Sequence, residues 1–311
     1  MKIGIGIGEI GGHAATLDDL IAQAQRAERD GFASGWLANI FGIDALTAIA
    51  LIGRATSRLA LGTAVVPTFS RHPVAMAQQA LTVQVATGGR FSLGIGLSHQ
   101  VVIESMFGLS FAKPFTHMKE YLAALAPLIR SGNVSVDGSQ YSVHASVAVP
   151  GSSPCPILLA ALAPKMLALA GSEADGTVTW MTGPTTLRAH TIPRITEAAA
   201  AAGRPAPRIV VGLPIAVTTA VDAARERARH VFRMYGMMPS YRAMLDREGV
   251  EAPGDVAIIG DEDAVGEQLQ QLAAIGVTEF LAVPFPAPKA PDSVARTRAL
   301  LMTLARAAHN Q

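Results

Sequence analysis

The chain is short of cysteine, of charge and of long apolar runs, and each shortage excludes a class of protein. Cys155 is the single cysteine among 311 residues, so neither an internal disulfide nor a paired-cysteine metal site can form. A lone thiol favours a reducing, cytoplasmic setting. The formal net charge is only +1, which gives no electrostatic reason to expect a nucleic acid or an anionic membrane as a partner.

Apolar residues make up 50% of the chain and charged residues 16%, so a large core can be buried. No run of about 18 apolar residues occurs, and a membrane span is therefore not expected. The N-terminal MKIGIGIGEIGGH alternates instead of forming the continuous apolar segment of a secretion signal. The length allows two ordinary domains or one barrel-sized domain.

Strand-like and helix-like segments alternate along the chain. The predicted strands are 2–8, 32–38, 58–67, 91–97, 156–162, 176–182, 208–218 and 277–285. The predicted helices are 16–31, 44–56, 73–89, 117–132, 164–175, 184–203, 221–236 and 292–308. Thr16 and Asp19 form a predicted capping pair for the first helix, and Gly31 suits its end. The strands are apolar on both faces, which is typical of parallel strands covered on both sides.

Eight strand–helix units predict the fold class. A (β/α)8 TIM barrel needs eight, whereas a doubly wound sheet usually has fewer and reverses its strand order. The sequence therefore predicts an α/β protein with a closed barrel, in a single domain over residues 1–311 with insertions at about 98–155 and 233–260. Both insertions follow carboxyl ends of strands, so we expect them to cover the mouth, where barrel enzymes place their chemistry.

The two insertions carry different signals. Asp137 and Gly138 predict a tight hairpin turn within 134–143. The second insertion contains FRMYGMMPSYRAMLDREG, residues 232–249, whose methionine and tyrosine side chains suit a lid over an apolar substrate. The alternative is an amphipathic helix pair whose methionines belong to the core.

The sequence contains none of the common catalytic motifs HExxH, GxSxG or P-loop. The glycine-rich GIGIGEIGG starts inside a predicted strand and lacks the context of a dinucleotide-binding turn. We expect its glycines to leave the barrel floor open to a flat ligand. His72 and Asp44 are interpreted as helix caps, while Trp36 and Trp180 either fill the core or form the wall of a planar site.

The ends of the fifth and sixth strands point to an anion. LLAALAPKMLALAG ends a strand at Ala160 and Ala161, and the helix that follows begins with free N–H groups that attract anions. Lys165 opposes the helix dipole in that first turn, which a bound anion would offset; a solvated lysine at a tight connection is the alternative. Beyond the sixth strand, the Thr182 hydroxyl and the Gly183 N–H face the same region.

The fourth strand ends in FSLGIGLSHQ, residues 91–100. Gly94 and Gly96 leave room for something to lie close to the backbone. Ser98 and His99 then present a hydroxyl and an imidazole in an apolar neighbourhood, at the end of a strand where barrel enzymes place functional groups.

Two segments together resemble the luciferase-like monooxygenase superfamily: GTAVVPTFSRHPVAMAQQALTVQVATGGRFSLGIGLSH and LLAALAPKMLALAGSEADGTVTWMTG. Within it, the chain is most similar to the coenzyme F-420 (F420)-dependent oxidoreductases of actinobacteria, from Lys2 to about Phe285. The resemblance implies a TIM barrel of the bacterial luciferase type, with a deazaflavin or a flavin across its carboxyl-end mouth. It also implies a homodimer, since many members are dimers.

By the same resemblance, the cofactor ring lies against the end of the third strand, where members often have a non-prolyl cis peptide, here Ala64–Val65. The phosphate-bearing tail follows the ends of the fourth, fifth and sixth strands, in agreement with the anion prediction. The residues expected to contact the cofactor are Asn39, Ala64, Val65, Gly96, Leu97, Ser98, Ala160, Ala161, Leu162, Thr182 and Gly183.

The chain departs from the family members that oxidise sugar phosphates. Those members carry an Asp–His pair after the second strand, where this chain has Asn39 in LANIF, and a glutamate after the fourth strand, where it has His99. Sugar-phosphate dehydrogenase activity is therefore not expected. His99 becomes the candidate acid–base residue because its ordinary pKa lies near neutrality, with a pocket-wall role as the alternative. Glu9 and His13 rank second.

Three functions follow from these expectations. The first is an F420-dependent oxidoreductase in which a hydride passes between C5 of the deazaflavin and an organic substrate, with His99 handling the proton. The second is an FMN-dependent monooxygenase that uses reduced flavin and O2; a deazaflavin lacks the nitrogen that makes flavin reactive to O2, so the cofactor decides the reaction. The third is a non-catalytic barrel that only binds the cofactor.

Overall fold

The predicted barrel closes. In a computed structural model that describes residues 1–8 and 15–309, the strands are β1 (Lys2–Ile7), β2 (Ser34–Leu37), β3 (Ala60–Thr63), β4 (Val66–Pro67), β5 (Phe91–Gly96), β6 (Asn133–Asp137), β7 (Ser142–Ser146), β8 (Ile157–Leu159), β9 (Gly176–Trp180), β10 (Arg208–Val217), β11 (Ile258–Gly260) and β12 (Glu279–Pro284). The parallel order β1–β2–β3–β5–β8–β9–β10–β12 returns to β1. The fold is a (β/α)8 TIM barrel, as the alternation predicts.

Helices follow the barrel strands. They are α1 (Leu17–Asp30), α2 (Ala45–Ala55), α3 (Pro73–Ala86), α4 (Gln100–Ser105), α5 (Pro114–Ser131), α6 (Pro164–Glu173), α7 (Pro184–Thr186), α8 (Ile192–Ala201), α9 (Val221–Val231), α10 (Pro239–Glu248), α11 (Glu262–Ala274) and α12 (Ser293–His309). A π-helical turn, Leu187–Thr191, joins α7 to α8, and 3-10 turns occupy Arg233–Met237 and Pro253–Val256. The capping box of Thr16 and Asp19 and the left-handed Gly31 bound α1 as predicted.

Two elements near the end of the chain are missing from the prediction. β11 pairs with the last residues of β10, outside the closed ring, and α11 follows it. β11 has three residues, which are too few to show an alternating pattern. The buried Val265, Leu269 and Leu272 of α11 do recur at helical spacing, so this helix was readable from the sequence.

The first insertion differs from its prediction at the hairpin turn. The hairpin of β6 and β7 has no tight turn at Asp137 and Gly138, because Asp137 pairs with Ser142 and four residues connect them. The Glu120 carboxylate holds this wider loop by accepting hydrogen bonds from three successive N–H groups, of Ser139 at 3.0 Å, Gln140 at 2.6 Å and Tyr141 at 3.0 Å.

The barrel interior is filled in layers. A polar layer near the amino ends of the strands joins Arg208 to Glu279 at 3.2 Å, with Ser34 and Ser92 bonded to the pair. Above it lies an apolar layer formed by Trp36, Leu158, Val178, Val210 and Leu281. Ala64 and Val65 pack on that layer from the carboxyl side. Side chains thus fill the barrel interior, and a ligand can bind at its carboxyl end.

Among the described residues, no helix combines the length and the apolar character needed to cross a bilayer.

Candidate active site

The glycines of β5 accommodate a bulge of the chain itself. The Ala64–Val65 peptide after β3 is cis, as the family resemblance implied. The Thr63 hydroxyl donates to the Gly94 carbonyl at 2.8 Å and accepts from the Gly94 N–H at 2.8 Å. A Cβ on Gly94 would lie 1.9 Å from the Thr63 carbonyl oxygen. The group that lies close to the backbone at Gly94 is therefore the third strand of the chain itself.

Three strand ends meet at Gly96. A Cβ on this residue would lie 2.8 Å from a methyl group of Val65 and 3.2 Å from the Cβ of Ala160. The Ala160 N–H donates to the Ile95 carbonyl at 2.8 Å, which fixes the end of β8 against β5. Predicted cofactor contacts from the third, fourth and fifth barrel strands are thus brought together. Gly96 and Ala160 add no long side chain to the carboxyl face of the barrel at this point.

The backbone turns sharply where β5 ends. Ser98 has a φ of +62°, in the left-handed region that a residue with a Cβ occupies only when its surroundings enforce it. His99 then precedes α4 as its cap residue, but its side chain makes no capping hydrogen bond. The imidazole is half-buried, and this burial lowers the pKa of His99. A neutral imidazole, able to accept a proton, therefore stands at the mouth near neutral pH.

An aromatic row links the two insertions across the mouth. The row consists of His99, Tyr241, Tyr235, Trp180 and Phe232, with successive ring centroids 5.7, 5.2, 5.8 and 6.0 Å apart. Tyr241 belongs to α10 and Tyr235 to the 3-10 turn before it, so the segment predicted as a lid does cover the carboxyl end of β9. Burial raises the pKa of both tyrosines. This side of the mouth is an uncharged aromatic wall.

The loop between β8 and α6 has the features expected of an anion site. Pro164 is the first residue of α6, and the cap position, Ala163, provides no side-chain acceptor for the first N–H groups. Leu162 directs its carbonyl inward to His190, whose Nε2 lies 2.8 Å away. Lys165 is exposed, with its Nζ 6.0 Å from the centroid of the Phe115 ring. Within residues 1–8 and 15–309, no side chain accepts a hydrogen bond from the N–H groups of this helix start, so these groups are available to a ligand.

The matching connection after β9 is different. The Glu248 carboxylate, from the end of α10, accepts hydrogen bonds from the N–H groups of Thr185 at 3.0 Å and Thr186 at 2.7 Å. A Cβ on Gly183 would lie 2.4 Å from the Glu248 carboxyl carbon, and the buried Thr182 hydroxyl donates to the Trp180 carbonyl at 3.3 Å. The predicted tail contact at Gly183 is therefore already occupied by the chain's own carboxylate in this conformation, and the Thr182 hydroxyl already has the Trp180 carbonyl as its partner.

The remaining predicted residues have structural partners. The Asn39 side-chain oxygen accepts from the Ala45 N–H at 3.0 Å, at the start of α2, which leaves its amide NH2 for a ligand. Asp44 caps α2 and pairs with Arg71, and His72 caps α3, as the cap interpretation expects. Glu9 and His13 lie outside the described residues.

A second polar cluster lies on the exposed hairpin. His144 is 2.9 Å from the Ser135 hydroxyl through Nδ1 and 3.2 Å from Asp137 through Nε2, beside an open groove of about 400 Å³. In a Ser–His–Asp catalytic triad the carboxylate is buried. The Asp137 side chain is 77% exposed, so water competes with His144 for its carboxylate and the cluster is not a triad. The described residues also contain no group of three or more potential ligands arranged to hold a metal ion.

Four features of the mouth were not predicted from the sequence: the contacts of Glu248 and of His190, the left-handed Met181 and the π-helical turn. Glu248 and His190 act from segments distant in the chain, and no local motif marks either contact. Met181, like Ser98, adopts a left-handed φ, here +52°, directly after a barrel strand. The π-helical turn lies just before Pro193, whose missing N–H is the one sequence signal that could have suggested it.

The TIM barrel, the cis bulge at Ala64–Val65 and the helix start after β8 together define a class of proteins. This class is the TIM-barrel enzymes with a cofactor site at the barrel mouth. The model of the luciferase-like monooxygenase family matches residues 2–279, and the chain belongs to that family, as an oxidoreductase.

Relatives of this chain carry oxidoreductase names as well. The chain is 33% identical over 195 residues to a putative coenzyme F420-dependent oxidoreductase of Mycobacterium tuberculosis, a match covering 57% of this chain and 54% of that protein. It is 27% identical to the 5,10-methylenetetrahydromethanopterin reductase of Methanolobus tindarius, over 78% of this chain and 74% of the other. The solved F420-dependent tetrahydromethanopterin reductase of Methanopyrus kandleri has the same fold, with a TM-score of 0.79, 21% identity and full coverage of both chains.

Proposed function

We propose that this protein is an F420-dependent oxidoreductase acting on an uncharged, apolar organic substrate. The observation that carries the proposal is the meeting of Val65, Gly96 and Ala160 at the carboxyl face, beside a helix start whose N–H groups are available. Strand ends without long side chains suit the approach of a tricyclic ring, and the helix start suits the phosphate of its tail. The relatives' F420 dependence supports the choice of deazaflavin over flavin.

When bound, the deazaflavin supplies or accepts a hydride at C5, and the chain provides position and proton transfer. The cis bulge at Ala64–Val65 would back the ring. Ala161 and Leu162 would line the path of the tail, together with Leu97 and Ser98, and the Asn39 amide could donate to the ring edge.

The aromatic row supports an apolar substrate. Its rings form the wall opposite the bulge, and Met234 and Met237 of the lid are exposed beside it. A wall of aromatic and thioether groups adapts to apolar molecules and offers no counter-ion for a charged one. His99, at the end of this row and neutral near pH 7, would accept the proton released when the substrate is oxidised, and its imidazolium form would donate that proton when the substrate is reduced.

Fluorescence titration of the apoprotein tests the cofactor. We expect F420 to bind at micromolar concentration or better, with quenching of the deazaflavin fluorescence, and FMN to bind more weakly. If FMN binds more tightly and the reduced complex consumes O2, the protein is a monooxygenase instead. If neither binds, the proposal fails.

Turnover separates an enzyme from a cofactor carrier. We expect reduced F420 to be oxidised by at least one member of a panel of apolar ketones, enones and imines. His99→Ala should lower kcat by about 100-fold and leave F420 affinity within about threefold, since general acid–base groups contribute on this scale. Equal turnover in the wild type and His99→Ala would refute the proton role.

We also propose a homodimer, on the resemblance alone. Light scattering of the purified protein tests it, and a monomeric mass at micromolar concentration would contradict it.

A further inference from the structure

The π-helical turn Leu187–Thr191 places a buried histidine directly beneath the β8–α6 loop. His190 is 3% exposed, and its Nε2 lies 2.8 Å from the Leu162 carbonyl oxygen. The Arg194 Nε, one helical turn further on, donates to Nδ1 at 3.1 Å. Both ring nitrogens are thus engaged, one with a loop that the proposed function assigns to the cofactor tail.

These partners determine the protonation state of the ring. A carbonyl oxygen can only accept and a guanidinium N–H can only donate, so Nε2 carries the hydrogen and Nδ1 is bare. Burial is the main cause that lowers the pKa of His190, and the positive charges of Arg247 and Arg194 lower it further against the opposing hydrogen bond to Leu162. A neutral imidazole in one tautomer is the result.

The hydrogen bond fixes the orientation of a peptide plane. The Leu162–Ala163 peptide is trans, so its N–H points opposite to its C=O. Because the carbonyl points inward to the buried His190, the Ala163 N–H points to the exposed side of the loop. There it lies next to the free N–H groups at the start of α6, where Pro164 itself offers none.

We propose that His190 is a positioning residue for the cofactor's phosphate: by holding the Leu162 carbonyl, it aims the Ala163 N–H at the anion. This inference rests on the proposed function and adds to it a residue that touches neither the cofactor nor the substrate. Rotation of the unrestrained peptide would turn an N–H donor away and present a carbonyl oxygen, which repels an anion.

Two substitutions at one position give a matched test. His190→Gln keeps a donor near the place of Nε2 and an acceptor for Arg194, whereas His190→Leu keeps only the volume. The probes are F420 and the corresponding deazaflavin without the phosphate tail, each titrated by fluorescence. Thermal unfolding of both variants shows whether the fold is intact.

We expect His190→Leu to weaken F420 binding about tenfold, the loss of roughly one oriented hydrogen bond to a charged group. Binding of the tail-less deazaflavin should change less than twofold, and His190→Gln should bind F420 within about threefold of the wild type. If His190→Leu does not fold, Arg194→Leu at an exposed position should weaken F420 binding in the same selective way.

Equal losses for both probes, no loss for F420, or a failure of His190→Gln to rescue would each overturn the positioning role. These outcomes leave the proposed function standing, since they require the wild type to bind F420. Failure of the wild type to bind F420 or FMN would instead remove the proposed function, and the inference with it.

Discussion

Two helix starts lie side by side at the barrel mouth, and the chain treats them differently. Both follow a barrel strand, both begin with proline, and neither has a side-chain cap from its own cap residue. At α7 the Glu248 carboxylate of the lid accepts from the N–H groups, whereas at α6 no side chain among the described residues accepts from them and His190 bonds to the Leu162 carbonyl. A helix start is thus an anion site only where the rest of the fold supplies no acceptor for its N–H groups.

The largest expected effect on F420 affinity comes from placing a carboxylate at the start of α6. Ala163→Asp places a carboxylate at the cap position of α6, where it should accept the N–H groups intended for the phosphate. We expect F420 affinity to fall by about 100-fold, because two anions a few ångströms apart repel by several kcal/mol at the effective dielectric of a protein surface. Fluorescence titration measures this loss.

Ala163→Asn is the matched control, since it caps the helix without a charge. It should stabilise the protein as much as Ala163→Asp, by about 1 kcal/mol, and weaken F420 binding far less. Unchanged F420 binding in Ala163→Asp would show that the tail does not use this helix start.

A smaller effect, on stability, should follow from removing the carboxylate that accepts the N–H groups at the start of α7. Glu248→Ala removes two charge-assisted hydrogen bonds that join the lid to the barrel, and we expect a loss of about 1 kcal/mol, because the carboxylate is partly exposed. Hydrogen exchange should increase over 233–248 more than over the barrel strands. An unchanged exchange pattern would show that Glu248 does not hold the lid.

Gly183→Ala tests the same contact from the other side. Its new methyl group would meet the Glu248 carboxylate, so it should destabilise the wild type and have little effect in the Glu248→Ala background. Additive effects of the two substitutions on the free energy of unfolding would contradict direct contact.

The smallest expected effect is a difference in pH dependence. His190 has a folded pKa below 6.5, so its neutral form and its bond from Arg194 are present above 6.5 and are lost as pH falls through the folded value. Protonation removes the bond from Arg194 but keeps the Nε2–H donor that holds the Leu162 carbonyl, so we expect F420 affinity of the wild type, relative to His190→Gln, to change less than about twofold between pH 7 and pH 5. A His99→Gln background removes a second titrating histidine of the mouth. A relative loss of more than about threefold on acidification would show that the bond from Arg194, and not the Nε2–H donor, is the contact that matters.

Much of the fold could be predicted because its signals are local. The barrel follows from eight alternating apolar strands and amphipathic helices, and the caps of α1, α2 and α3 follow from one or two residues each. The prediction of the hairpin turn was wrong because a distant residue overrides the local signal. Asp137 and Gly138 favour a tight turn, but Glu120, from α5, accepts hydrogen bonds from the N–H groups of a wider loop.

The candidate site divides in the same way. Ala64, Val65, Gly96 and Ala160 were predicted together, because family resemblance and strand ends mark them, and the structure brings them into contact. The predicted tail contact at Gly183 could not be judged from the sequence, since the competing carboxylate of Glu248 is about 65 residues away.

A parallel eight-stranded barrel, a small-residue face at its carboxyl end and two helix starts with anion-binding potential follow from the sequence alone, because these depend on periodicity, residue size and capping over a few neighbours. The folded chain is needed to show which helix start has no side-chain acceptor, which imidazole is neutral and what the strand glycines accommodate. Those outcomes depend on through-space contacts between distant segments, whose hydrogen-bond and desolvation energies no local pattern encodes.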